Sequence, residues 1–299
     1  MSVGRPTGPA AASGSVLVQQ KSAVADELAA EQMKKRAKGV SVEFLVSTFE
    51  TKLQNALGDE YHDNTTFIHL AESFWGRREA RFENMTSFLG HVETPSSDRV
   101  GENGVSLCTA IGIYDSHAVS DATHFLSWSW SYQVKKLLQT LKEYCTKRGL
   151  DRKKTFVWMC FFCNDQFEWF SGREQDGFET FGNMLRHIGK MVCIVDTYDA
   201  ATAIYFKRLW PIYEIYIGFT EELAMDLALM VDSKEQLQQE TLAKIKQAIV
   251  VEVRSAGASM PDDETRIKEM IAGRESDAKE TNRIAKLLLV QMISNYLME

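Results

Sequence analysis

From His124 to Val195 the chain alternates short apolar runs with longer stretches whose apolar residues recur at helical spacing. His124 to Trp130 (HFLSWSW) predicts a strand. Val134, Leu137, Leu138, Leu141, Tyr144 and Cys145 then keep the three-and-four spacing of an amphipathic helix, with Ser131 placed to cap it. Thr155 to Cys163 (TFVWMCFFC) is apolar throughout, as a strand covered on both faces should be, and predicts a second strand. After the polar loop NDQFEWFSGREQDG, Phe178, Phe181, Leu185 and Ile188 mark a helix that Gly189 closes. Met191 to Val195 (MVCIV) predicts a third strand, with Asp196 to Ala200 as the loop at its carboxyl end. The next helix carries Trp210 and Glu214. Proline is tolerated only in a first turn, so Pro211 either sets the helix start near Leu209 or kinks the helix there.

Alternation over Leu223 to Val231 predicts another strand, and Ser233 to Gln236 resembles a capping box opening a helix to about 247. Helices near 263–273 and 279–298 end the chain. Upstream, residues 20–38 are rich in Ala, Glu and Lys and predict a helix with a thin apolar face; Leu45, Phe49 and Leu53 continue at helical spacing. The polar break ETPSSDRVGENG at 93–104 is the best boundary. Repeated βα units predict an α/β fold on a doubly wound parallel sheet, with ligand sites outside the carboxyl ends of the strands.

Composition narrows the partners. The 299 residues are 44% hydrophobic and 25% charged, an ordinary globular balance. A formal charge of −7 and a pI near 5.5 argue against sequence-independent binding to nucleic acid or to an anionic membrane. The longest apolar run, Phe156 to Cys163, is too short for a bilayer span, which needs about eighteen residues. Five cysteines set mostly in apolar runs read as reduced thiols of a cytoplasmic protein, and the first residues (MSVGRPTGPAAASGS) as a disordered leader.

No G-x-G-x-x-G or Walker A sequence follows any strand, and neither HExxH nor an EF-hand loop is present, so no metal site is expected. Cys160 and Cys163 form a C-x-x-C that, inside a strand, would point to opposite faces, and His124 and His187 lack a sequence-adjacent orienting carboxylate. Both pairs read as core. Ser127, Trp128, Ser129 and Trp130 stand where the first strand delivers its carboxyl end, and flat rings there either stack on a heterocycle or pack under the next helix. Asn164, Asp165 and Gln166 close the second strand, and Asp196 the third; each is a ligand-bonding candidate or a self-satisfied turn. Lys207 and Arg208 read as solvated or as diphosphate contacts. Glu214 differs from these. Its neighbours Ile212, Tyr213, Ile215 and Tyr216 are apolar or aromatic, and four-residue spacing puts it on the same side of the helix as Trp210.

At these residues the chain resembles a TIR domain. HFLSWSW is similar to the family's first box, TFVWMCFFCNDQF stands at the second strand and BB loop, and Trp210-Pro211-Ile212-Tyr213-Glu214-Ile215 is similar to the W-C-x-x-E-[IL] box. The match is closer to TIR-like proteins of unicellular eukaryotes with S-H-x-W, N-Q and W-C-x-x-E motifs, and it covers about 120 to 218. Two departures stand out: Pro211 replaces the box cysteine, and Trp128 the histidine.

The resemblance implies a TIR-like (flavodoxin-like) sheet of about five strands with helical N- and C-terminal extensions. The corresponding layout is a leader at 1–18, a helical extension at 19–104, the TIR-like domain at 105–255 and C-terminal helices at 256–299. It also implies NAD+ as substrate rather than a bound cofactor, and cleavage to nicotinamide and an ADP-ribose product. Glu214 would be catalytic, and Trp210, Ser127, Trp128, Trp130, Asn164, Asp165 and Asp196 would line the substrate. Partners would be NAD+ or a related nucleotide and, through self-assembly, a homo-oligomer or other TIR-like domains. The alternative from the same resemblance is a non-catalytic interaction module in signalling.

Overall fold

The computed structural model describes residues 33–34, 36–75, 106–166, 177–197, 203–230, 246–247, 250–259 and 261–298. The expected leader at 1–18, the break at 93–104 and the helix at 233–247 lie wholly or mainly outside them. Six strands form one mostly parallel sheet in an α/β arrangement: β1 (Lys38–Ser41), β2 (Val119–Asp121), β3 (His124–Ser127), β4 (Phe156–Trp158), β5 (Lys190–Val195) and β6 (Ala224–Leu229), in the order β2-β1-β4-β3-β5-β6. Strands β4, β3, β5 and β6 are parallel neighbours, and β1 runs antiparallel between β2 and β4.

Parallel neighbours need crossovers, and helices at the predicted places supply them: α4 (Val134–Lys147) between β3 and β4, α6 (Gly177–Ile188) between β4 and β5, and α7 (Leu209–Thr220) between β5 and β6. Alternation along β3 sorts them by face. His124 meets Tyr144 of α4 with ring centres 6.2 Å apart, whereas Phe125 meets Phe181 of α6 at 6.3 Å. Ser127, on the same side as Phe125, reaches toward α7. Both faces are covered, which is why every residue of β3 and five of the six in β5 are buried. The connection from β3 goes to one side and that from β4 returns to the other, so the order reverses between β3 and β5, where Ser127 pairs in register with Cys193. In open α/β sheets the crevice at such a reversal is where ligands bind.

Upstream, α1 (Glu50–Leu57) follows a π-helical turn at Phe44–Phe49, and α2 (Phe67–Trp75) and α3 (Leu107–Tyr114) come next. Leu45, Phe49 and Leu53 are fully buried, as their spacing predicts. Phe49 packs edge-on against Phe162 at 4.9 Å, and Phe67 against Phe161 at 5.1 Å, so these helices share the core of the sheet. Helices α8 (Pro261–Ala272) and α9 (Glu275–Met298) follow near the predicted bounds and pack on α7, with Ile267, Ile271, Leu289 and Ile293 buried. Among the described residues no helix is long and apolar enough to cross a membrane.

Four local expectations are corrected. Strand β1 has no counterpart in the periodicity reading: four residues around a glycine carry too little alternation to register. Gly39 is needed there, because a Cβ would stand 2.8 Å from the Val157 carbonyl oxygen of the neighbouring strand. The second strand ends at Trp158, and Cys160–Cys163 forms a helical turn, α5, instead of strand. The argument that the C-x-x-C points to two faces of a strand therefore lapses. The first strand likewise ends at Ser127, and Trp128 to Trp130 lie beyond it. Helix α4 is capped at Gln133 without a side-chain bond, not at Ser131. Helix α7 begins at Leu209, so Pro211 falls in the first turn and no kink is required.

Candidate functional site

The reversal between β3 and β5 places one acid beneath the carboxyl ends of the strands. Glu214 sits in the middle of α7 on the face toward the sheet and is 6% exposed. The Ser127 hydroxyl hydrogen-bonds its carboxyl and also meets the Tyr205 hydroxyl at 2.7 Å. The second carboxyl oxygen, Oε2, has no hydrogen-bond partner among the described residues. Burial pushes the acid up to about 8, against the opposing pull of the Ser127 bond. An ionised carboxylate without a partner is expensive in such a place, so Glu214 holds its proton at neutral pH.

Cys160 organises the neighbouring wall. Its sulfur accepts the Trp130 Nε1–H at 3.3 Å, and its carbonyl accepts the Gln166 side-chain amide at 2.6 Å. Trp128 Nε1 lies beside the same sulfur yet makes no hydrogen bond among the described residues, and the Gln166 Oε1 is likewise buried without a partner. Among the described residues three polar atoms without a partner, on Glu214, Trp128 and Gln166, thus belong to the shell around one region. Burial, reinforced by the Glu214 charge, pushes the Cys160 and Cys193 thiols up to about 12, which makes them poor nucleophiles.

The remaining candidates divide by what already occupies them. Trp128 and Trp130 stack on each other 6.1 Å apart with planes 13° from parallel; Phe67 meets Trp128 edge-on at 4.7 Å and Phe161 meets Trp130 at 5.6 Å. Trp210, on the side of α7 expected from its spacing, rests on Phe181 at 4.8 Å, and its side chain bonds Asp263 of α8. The Asp196 carboxylate accepts the backbone N–H groups of Ile204 at 2.7 Å and Tyr205 at 3.1 Å, and the Tyr132 hydroxyl at 3.2 Å, so it secures the end of the loop after β5. Asn164 closes α5 by donating its N–H to the Cys160 carbonyl at 3.1 Å, and Asp165 follows it, half-buried. From Gln166 and Thr197 the chain continues into 167–176 and 198–202, which lie outside the described residues.

Tyr205 and Cys193 join this cluster without a sequence signal strong enough to single them out. Tyr205 sits in a short 3-10 turn after the third strand, and only the fold brings its hydroxyl to Ser127 and Cys193. His124 is on the opposite face, its Nδ1 paired with the Thr123 hydroxyl at 2.8 Å, and burial pushes it down to about 4 with help from Lys190. Among the described residues no group of three or more His, Cys, Asp or Glu side chains is arranged to hold a metal. The cavities that border described residues include one of about 220 Å³ beside α3 and one of about 10 Å³ beside α4 and β6. Neither touches Glu214.

The buried acid makes stability depend on pH with a definite sign. Its folded value lies above the ordinary 4.5, so the native state binds the extra proton between 4.5 and about 8 and loses stability as pH rises through that window. Each unit is worth up to about 1.4 kcal/mol. In urea titrations at several pH values, Glu214→Gln flattens this slope and is more stable than the parent protein above pH 8.

Comparison with protein-family models, with curated proteins and with solved structures finds no match to this chain.

Proposed function

We propose that this chain is a TIR-like (flavodoxin-like) protein that cleaves NAD+ to nicotinamide and an ADP-ribose product when protomers assemble in the cytoplasm, with Glu214 as the catalytic residue. The observation that carries the reading is the Oε2 of Glu214, without a partner among the described residues, beneath the reversal between β3 and β5. Support also comes from the order β4-β3-β5-β6, which in chain sequence runs second, first, third, fourth, as in flavodoxin-like sheets.

The chemistry asks little beyond a well-placed negative charge. Nicotinamide in NAD+ is already cationic, so breaking its bond to the ribose releases a neutral base and leaves an oxocarbenium-like sugar. A carboxylate beside that sugar stabilises it. Water then adds to the anomeric carbon and loses a proton, giving ADP-ribose; attack by the substrate's own adenine gives a cyclic product instead. Glu214 is protonated in the free protein, and a cationic substrate beside it favours the ionised form, so the charge develops where the sugar cation needs it. Ser127 holds one carboxyl oxygen in place, Trp128 Nε1 offers a donor and Gln166 Oε1 an acceptor.

A second reading, a non-catalytic TIR-like interaction module, is favoured by the near-complete burial of Glu214. One assay separates the two. Purified full-length protein is incubated with NAD+ over a range of protein concentrations, with a crowding agent, and nicotinamide is followed by chromatography. Release that rises more steeply than protein concentration supports cleavage on assembly; no release at any concentration leaves the interaction module.

A further inference from the structure

The larger cavity lies away from Glu214, between β1, β2, α3 and the turn α5, and two cysteines far apart in sequence share its wall. Cys108, in the first turn of α3, is buried, and Cys163, the last residue of α5, is half-buried. Both border the cavity of about 220 Å³, together with Arg36, Lys38, Ser106 and Thr109. The two side chains are electrostatic neighbours on this wall, and α3 packs against α5. The other three thiols are placed differently: Cys160 accepts Trp130, Cys193 bonds Tyr205, and Cys145 bonds Thr155.

We propose that Cys108 and Cys163 are a modification site, a thiol pair that hydroperoxides oxidise reversibly to a disulfide across this cavity. The cavity admits a small oxidant. The reaction starts from Cys108, in the first turn of α3, with Cys163 as the resolving thiol. Its sulfur, giving up its proton, attacks one oxygen of ROOH; the O–O bond breaks, and Cys108 sulfenic acid and ROH form. Cys163 then attacks the sulfenic sulfur, the S–O bond breaks, and hydroxide leaves with the Cys163 proton as water. Two thiols and one hydroperoxide become a disulfide, ROH and water, with two electrons passing from sulfur to peroxide.

The bond would tie α3 to the turn whose Cys160 carbonyl holds Gln166 and whose Cys160 sulfur holds Trp130, so the oxidation state of the pair bears on the wall of the candidate site. The pair itself stands or falls independently of NAD+ cleavage. The test is peptide mapping of the full-length protein after treatment with hydrogen peroxide and alkylation of the remaining thiols. The expected result is a cross-linked peptide pair containing Cys108 and Cys163 in most molecules, reversed by dithiothreitol, with Cys145 and Cys193 still alkylated. Cys108→Ser and Cys163→Ser each abolish that cross-link while the circular dichroism spectrum is kept. Recovery of Cys108 and Cys163 as free thiols, their pairing with other cysteines, or direct conversion to sulfinic acid would overturn the proposal, and the unsubstituted protein alone decides between these results.

Discussion

Glu214→Gln lowers nicotinamide release from NAD+ by at least about a hundredfold, the usual scale when a single group stabilising a transition-state charge is removed from a water-poor site. The substitution keeps the volume and one hydrogen-bonding oxygen, so the Ser127 contact and the packing of α7 survive. What it removes is the capacity to become negative. The loss should therefore appear chiefly in kcat, with a smaller rise in KM, because the cationic ground-state dinucleotide also gains from the carboxylate charge. The same variant gains stability above pH 8, which separates a catalytic loss from a folding loss in one preparation.

Phe161→Ala destabilises the protein by about 3–5 kcal/mol, read as a lowered urea midpoint with an unchanged slope. Phe161 is fully buried on the short turn α5, where it meets Phe67, Trp130 and Phe162 at ring distances of 5.1, 5.6 and 5.1 Å. Those contacts join α2 of the upstream segment to the residues that follow β3. Its removal leaves a cavity among the rings of Phe67, Trp130 and Phe162. A single cooperative transition in both proteins is expected, because the upstream helices and the sheet share one core.

Much of the architecture was legible in the pattern of apolar positions. Long helices and both-face-buried strands announce themselves: Val134 to Cys145, Met191 to Val195 and Leu45-Phe49-Leu53 all lie where spacing puts them. Short elements failed because length carries the signal. Four residues around Gly39 give no alternation, and the apolar run through Cys163 looks the same whether it continues as a strand or turns into helix after Trp158. Extended and helical stretches that are buried on all sides have the same composition. That ambiguity hid the shared wall of Cys108 and Cys163, which only the turn at α5 creates.

The acid was legible for a different reason. A lone glutamate among Ile, Tyr and Pro on a helix reads from sequence either as a solvated-face residue or as a desolvated acid, and the structure leaves it desolvated. Its company was less legible, since Tyr205, Cys193 and Cys160 come from three separate elements and none carries an unusual local pattern. Asp196 shows the opposite case. Its position at a strand end marks it as a ligand contact, but the backbone of Ile204 and Tyr205 already engages its carboxylate.

The central claim is that Glu214 presents a buried, protonated carboxyl with an open oxygen to a cationic ligand. Carbon-13 NMR of side-chain-labelled glutamate, with Glu214→Gln to assign the resonance, measures it directly in a pH titration with and without a non-cleavable NAD+ analogue. The account requires a midpoint near 8 in the free protein, moving down when the analogue is bound. A midpoint at the ordinary carboxylate value, or one that ignores the analogue, contradicts it.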